Sequence, residues 1–209
     1  MEMQGMVDKV TTSVKAVAFT FDDGPNPVYT PQLLSIFREW NGKATFFMIG
    51  EQIERNPETA RSVHEEGHEI GNHTYTHPNL TELKKDDILE EIDKTEQLIA
   101  GITGAKPAVL RPPYLASDER LGRLAASRGY RLIGAVNPGV QDWDMPGVQH
   151  ILDKTREHLG PGSILLFHDG YGDRSQTIEA VSVLVPVLVK QGYRLVTVSE
   201  LLALEGVRA

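Results

Sequence analysis

Seven short apolar runs, separated by longer amphipathic stretches, limit the possible folds of this chain more than any other feature. Most of the runs are rich in Val, Ile, Phe or Thr, which is typical of buried strands. They lie at 16–21, 44–49, 68–71, 108–110, 132–136, 163–167 and 193–196. Strands that alternate with helices predict an α/β fold with a parallel sheet and right-handed crossovers. A doubly wound open sheet and a (β/α) barrel fit this pattern equally well.

Helices are predicted between the runs. Thr30 and Asn56 each stand before a proline, the pairing of cap and first helical residue that begins many helices. The helix from Asn56 is expected to end at Gly67, and the helix over 86–100 to close at Gly101. The remaining predicted helices lie at 118–127, 148–158, 177–191 and 199–204. Since no linker or change of composition interrupts the chain, we predict one catalytic domain over 15–209, after an N-terminal extension over 1–14.

Composition excludes several classes of protein. The net charge of −8 argues against a nucleic-acid binder, which needs a basic face to neutralise phosphates. The absence of cysteine excludes disulfides, zinc–thiolate sites and a cysteine nucleophile. No apolar run approaches the ~20 residues of a membrane span, and residues 1–15 lack the features of a signal peptide. The cellular location is left open.

Polar side chains follow five of the predicted strands, at the end where a barrel of this kind carries its active site. In chain order they are Asp22 and Asp23, His73 and His77, Arg111 and Tyr114, Asp142 and Trp143, and His168. Their convergence on one rim is the main argument from the residues alone for a catalytic site.

Each pair also has a plainer interpretation. Asp22 and Asp23 could divide metal binding and proton transfer between them, although Asp-Gly-Pro is also good turn chemistry. His73 and His77 come together if the segment is helical or tightly turned, and with one carboxylate they form a ligand set with open positions. Isolated histidines are more often structural, and we interpret the other histidines that way: His64, His68, His150 and His158.

The other polar residues are ambiguous when taken singly. Arg111, stiffened by two following prolines, fits a surface ion pair or a guanidinium that orients a catalytic carboxylate. His168 fits a core histidine or a general acid. Trp143 and Tyr114 fit the core or the flat wall of a sugar site.

Five segments resemble, in order, the motifs of the polysaccharide deacetylases, also known as carbohydrate esterase family 4 or the NodB homology domain. They are TFDDGP at 20–25, HTYTHP at 73–78, RPPY at 111–114, DW at 142–143 and LFH at 166–168. With the last strand and helix included, the resemblance covers nearly the whole chain. It implies a deformed, incomplete (β/α) barrel of about seven parallel strands, and so decides between the two architectures.

The resemblance also implies roles for the polar residues. Asp23, His73 and His77 correspond to the metal ligands, Asp22 to the general base and His168 to the general acid. The metal is expected to be zinc, with cobalt, nickel or manganese as alternatives.

Five further residues would complete the site. Arg111 corresponds to the residue that tethers the base, and the Tyr114 backbone N–H to an oxyanion donor. Trp143 and Leu166 would line the pocket for the acetyl group and the sugar. Asp142 would orient Arg111 or tune His168, and the sequence does not decide between them.

The function implied is hydrolysis of N-acetyl groups on an N-acetylglucosamine polysaccharide, such as chitin oligomers or peptidoglycan, with release of acetate. The family suggests a secreted or cell-envelope location, and we expect the chain to be a monomer. Two alternatives remain: an O-deacetylase of the acetylxylan esterase type, and a catalytically silent sugar-binding module. Two departures from the motifs, Gly139 in place of an aspartate and Leu115 in place of a frequent glycine, border the expected groove.

Overall fold

The sheet is parallel throughout and curls into an incomplete barrel. The computed structural model describes residues 5–208, and the strands within them are β1 (Ala16–Asp22), β2 (Thr45–Met48), β3 (Glu69–Asn72), β4 (Val109–Leu110), β5 (Arg131–Leu132), β6 (Ile164–His168) and β7 (Arg194–Leu195). Their order is β5-β4-β3-β2-β1-β6, and β7 pairs with the beginning of β1. The predicted deformed (β/α) barrel is confirmed.

Helices cover the outside of the sheet. They are α1 (Thr30–Glu39), α2 (Gly50–Arg55), α3 (Pro57–Glu65), α4 (Lys85–Thr103), α5 (Glu119–Ser127), α6 (Val148–His158), α7 (Ser175–Lys190) and α8 (Val198–Leu202). In the part of the chain described here, no helix combines the length and the apolar character needed to cross a membrane.

Several predicted boundaries were wrong. Helix α4 runs through Gly101 and ends at Thr103, and the next residue, Gly104, forms the left-handed cap with a φ of +73°. Thr30 lies inside α1, not at its cap, and its hydroxyl donates to Asp169. The fifth strand is shorter than the predicted 132–136, because the backbone beyond Leu132 pairs with other segments.

Residues 7–10 lie between β5 and β6 and fill the gap in the barrel. The Val7 N–H donates to the Leu132 carbonyl at 2.9 Å, and the Gly134 N–H donates back to Val7 at 3.1 Å. On the other side, the Val10 N–H donates to Gly162 at 2.8 Å. These residues fall within the predicted extension; the domain boundary at residue 15 stays a prediction.

The two-residue period of β1 divides the core into two layers. Val17, Phe19 and Phe21 point outward and pack under the helices, where Phe19 stacks on Phe167 with ring centroids 5.7 Å apart. Ala16 and Ala18 belong to the second cluster, inside the barrel. By the same alternation, the carboxyl end of β1 delivers an aspartate into the mouth of the barrel.

Candidate active site

The carboxyl ends of the strands surround a cavity of about 770 Å³, within the ~300–1,000 Å³ range of pockets for small ligands. It is lined by Asp22, Asp23, His73, Thr76, His77, Tyr114, Leu115, Pro138, Trp143, Leu166, His168, Tyr171 and Arg174. Eight of the ten predicted site residues are in this lining. The other two, Arg111 and Asp142, are fully buried and contact it from behind.

Arg111 holds Asp22 in place from inside the barrel. Its Nη1 donates to Asp22 Oδ1 at 2.8 Å and to the Thr20 hydroxyl at 2.5 Å. Nε and Nη2 donate to the carbonyls of Ile133 and Gly134, at 3.3 and 2.7 Å. The guanidinium is therefore fixed by β1 and by the segment that follows β5. One oxygen of Asp22 is occupied, while the other stays toward the cavity.

Asp23 follows Asp22 with its backbone turned at a φ of +73°, and both carboxylates approach His73 Nε2. Asp23 Oδ1 lies 3.2 Å from His77 Nε2 and 3.5 Å from His73 Nε2. Two ligands held ~2.0–2.1 Å from a tetrahedral ion stand roughly 3.3 Å apart, so this spacing matches a metal site. Oδ1 is buried and accepts no hydrogen bond from the described residues, which leaves its charge for a cation.

The two histidines lie in a turn, not in a helix, with their ring centroids 4.9 Å apart. His73 Nδ1 lies 2.7 Å from the Arg111 carbonyl, which can only accept, so Nδ1 carries the proton and the Nε2 lone pair faces Asp23. The donor set of one carboxylate and two neutral imidazoles fits zinc.

Glu91 of α4, which the sequence analysis did not identify, fixes this turn. Its Oε2 accepts from the N–H groups of Tyr75 and Thr76, both at 2.8 Å, and its Oε1 accepts from the Thr76 hydroxyl at 2.7 Å. Asn72 adds a bond from the Thr74 N–H to its Oδ1 at 2.9 Å. A glutamate on the polar side of an amphipathic helix gives no sequence signal that it braces a turn.

Asp142 contacts His168, and among the described residues it makes no hydrogen bond to Arg111. Its Oδ1 accepts from His168 Nδ1 and its Oδ2 from the His168 backbone N–H, both at 2.8 Å. The Thr177 hydroxyl donates to the same Oδ2 at 2.8 Å. Burial would lower the pKa of His168, but hydrogen bonding and attraction to Asp142 outweigh it and raise the pKa. His168 thus keeps its proton more readily and turns Nε2 toward the cavity.

Aromatic and apolar groups form the walls. Trp143 is 45% exposed and lies edge-on to His168 with ring centroids 5.1 Å apart. Tyr114 is 70% exposed and lies against His77 at 4.8 Å. Leu166 is buried at the cavity floor. The plainer interpretation of Trp143 and Tyr114 as core residues was wrong.

Unfavourable backbone conformations concentrate here. Nine non-glycine residues of the described chain have positive φ, and five of them line the cavity: Asp23, His77, Tyr114, Leu115 and Tyr171. Such conformations cost of order 1 kcal/mol each and persist where the surroundings impose them, often at functional sites.

The structure also shows the surroundings of the two residues that depart from the motifs and of His68. Leu115 lines the cavity, whereas a Cβ on Gly139 would meet open space. His68 is a core residue, as predicted: its Nδ1 accepts from the Ala44 N–H at 3.0 Å, and its ring packs edge-on against Phe37 and Phe46.

Comparison with known proteins agrees with the geometry of the cavity and its candidate metal ligands. The profile of the polysaccharide deacetylase family matches residues 9–133. A peptidoglycan-N-acetylglucosamine deacetylase of Bacillus cereus is 41% identical over 93% of this chain and 91% of its own length. A chitooligosaccharide deacetylase of Bradyrhizobium sp. is 34% identical over 88% of this chain and 89% of its own.

A solved structure agrees as well. The crystal structure of a peptidoglycan N-acetylglucosamine deacetylase, in complex with 4-naphthalen-1-yl-N-oxidanyl-benzamide, superposes with a TM-score of 0.89 at 32% identity, covering 94% of this chain and 92% of that one. Fold, motifs and matched length agree along nearly the whole sequence. This chain belongs to the polysaccharide deacetylase family.

Proposed function

We propose that this deacetylase removes N-acetyl groups from a polysaccharide that contains N-acetylglucosamine, such as chitin oligomers or peptidoglycan, with the help of a divalent metal ion. The observation that carries the proposal is the arrangement of three groups around one cavity. The Asp22–Arg111 pair and the Asp142–His168 pair both meet the Asp23, His73 and His77 ligand set there.

Asp23, His73 and His77 would hold the ion, and zinc suits their donor atoms. When bound, such an ion supplies Lewis acidity toward the acetyl carbonyl and lowers the pKa of water. His73 is kept in the ligating tautomer by the Arg111 carbonyl, so the same arginine serves the ligand set and the base.

Asp22 is the proposed general base. Arg111 occupies its Oδ1, which leaves Oδ2 to take a proton from the attacking water. The water oxygen forms the new bond to the acetyl carbon as that proton leaves. The Tyr114 N–H would donate to the carbonyl oxygen as negative charge develops on it.

His168 is the proposed general acid. With Nδ1 held by Asp142, Nε2 can deliver a proton to the amine nitrogen as the carbon–nitrogen bond breaks. Acetate and a free amino group on the sugar are the products. Trp143 and Leu166 would hold the acetyl group and the sugar beside these atoms.

The test is acetate release from N-acetylglucosamine oligomers, peptidoglycan and acetylxylan, first with chelated enzyme and then with zinc or cobalt restored. We expect metal-dependent release from at least one amide substrate. Release from acetylxylan alone would replace the proposal with an ester hydrolase.

His168→Ala separates the acid from the metal site. We expect turnover to fall ~10²–10⁴-fold while metal content stays at the wild-type level. His150→Ala, which changes a histidine outside the cavity lining, is the control and should keep full activity. Near-normal turnover of the His168 variant would remove this residue from the mechanism.

A further inference from the structure

The segment between β6 and α7 carries an exposed aromatic ring that the mechanism does not use. Tyr171 is 46% exposed, lines the cavity and has a φ of +48°. Left-handed backbone is unfavourable for a bulky residue. An exposed ring gains little burial in return, so folding alone does not account for a tyrosine here.

The segment is held tightly against the site. A Cβ on Gly170 would lie 1.9 Å from the Asp23 carbonyl oxygen, so the backbone at this point packs directly on the proposed metal ligand. Farther along, Asp173 Oδ1 accepts from the Tyr29 hydroxyl at 3.0 Å and from the Ser175 N–H at 2.8 Å. Both ends of the segment are therefore anchored.

Arg174 joins this segment to the one that carries Trp143. It is 5% exposed, and its Nε donates to the Gly170 carbonyl at 2.8 Å. Its Nη1 donates to the carbonyls of Trp143, at 3.3 Å, and Asp173, at 3.1 Å. One buried guanidinium thus sets the position of two exposed aromatic residues relative to each other.

The two rings stand at different places along the cavity wall. Trp143 lies against His168, which under the proposed function places its ring beside the sugar being deacetylated. Tyr171 lines the same cavity without a ring contact to His168 among the described residues. The C–H faces of a pyranose ring are apolar, and a tyrosine offers a flat apolar face with a polar tip.

We propose that Tyr171 is a specificity-determining residue that stacks on the sugar next to the one being deacetylated, so that the enzyme prefers chains to single N-acetylglucosamine units. This inference rests on the proposed function and adds a second sugar position to it. A rigid, preformed platform loses little conformational freedom on binding, which favours affinity.

The test compares wild type, Tyr171→Ala and Tyr171→Phe, the last being the matched control that keeps the ring. Dissociation constants for N-acetylglucosamine and for its tetramer are measured on the metal-loaded enzyme by calorimetry. We expect Tyr171→Ala to weaken tetramer binding about tenfold and to leave monomer binding unchanged. Tyr171→Phe should bind both ligands as wild type does.

Kinetics provide a second readout. Since Tyr171 would touch the neighbouring sugar and not the reacting atoms, the alanine variant should raise KM for the tetramer and keep kcat. Equal loss for monomer and tetramer, or tetramer binding unchanged in the alanine variant, would overturn the inference.

The two proposals fail in different ways. If Tyr171→Ala releases acetate normally and binds the tetramer as wild type does, the stacking role of Tyr171 is contradicted and the proposed deacetylation stands. If tetramer binding depends on Tyr171 but no substrate releases acetate, the stacking role stands and the proposed reaction is contradicted.

Discussion

Asp142 and Asp144 stand two residues apart in one short turn, yet only the first is buried. The buried carboxylate accepts three hydrogen bonds, two from His168 and one from Thr177. It therefore fixes the orientation of the imidazole and favours its protonated form. The exposed carboxylate of Asp144 offers a matched control for removing that charge.

For Asp142→Asn we expect turnover to fall by ~10²–10⁴ because His168 loses the partner that keeps it protonated. The pKa of His168, now raised, should drop, so the alkaline limb of the kcat profile should move to lower pH. Metal content should not change. The measurement is acetate release against pH, with Asp144→Asn as control; an unmoved alkaline limb would argue against His168 as the acid.

His68 gives a prediction for stability at the same scale. Burial, with a smaller contribution from Lys43, lowers the pKa of His68 to about 4. Between pH 6.5 and 4 the unfolded chain binds a proton that the folded chain does not, so stability is present above pH 6.5 and is lost as the pH falls. At ~1.4 kcal/mol per pKa unit, the loss is about 3 kcal/mol.

His68→Asn keeps an acceptor for the Ala44 N–H and should flatten this pH dependence. The exposed His158→Asn should leave it as in wild type. Urea unfolding at a series of pH values from 7.5 down to 4.5 measures the effect. A slope in the His68 variant equal to that of wild type would show that other groups cause the acid loss.

At the scale of elements, helix α4 and the turn after β3 act as one unit. The turn carries His73 and His77, and Glu91 of α4 accepts three hydrogen bonds from its backbone and side chains. Neither histidine is held by regular secondary structure. The precision of the ligand set therefore depends on a helix that contributes no ligand.

We expect Glu91→Ala to weaken zinc binding ~10–100-fold, the usual cost of losing an outer partner of a ligand. The neighbouring Glu90→Ala, on an exposed position of the same helix, should bind zinc as wild type does. Competition with a chromophoric chelator measures both affinities. Equal affinity of the two variants would mean that the turn keeps its shape without this brace.

The hydrophobic pattern of the sequence predicted strands and helices well where burial alone determines their position. Six of the seven strands begin and end within one residue of the predicted bounds, because the sequence of a buried strand is an apolar run. Helix α2 was missed, since its six residues carry no capping signal. Strand ends and motifs pointed to ten residues that lie at or behind one cavity, whereas Glu91 and Arg174 make contacts that no local pattern records.

At the scale of the whole molecule, the barrel depends on the first residues described. Residues 7–10 bridge β5 and β6, and Val10 is 1% exposed within the inner core cluster. A chain that lacked this segment would leave backbone groups of both strands unpaired, which is costly when they are buried.

Val10→Ala should lower the free energy of unfolding by about 2 kcal/mol, through lost burial and the cavity left behind. Val28→Ala, at a position 57% exposed, should change it by less than about 0.5 kcal/mol. Chemical denaturation of the two variants measures the difference. Equal stabilities would mean that the N-terminal segment contributes little to barrel closure.

The pairing of residues 7–10 with β5 and β6 also bears on the order in which the molecule is assembled. Contacts between distant parts of a chain are slow to form, and synthesis delivers β6 long after β1. The candidate ion ligands follow β1 (Asp23) and β3 (His73 and His77), and only β2 lies between these two strands in the sheet. His168 is synthesised later, as the last residue of β6. The three residues proposed to hold the ion thus come from the first part of the chain, whereas the proposed proton donor comes from a later strand that pairs with β1.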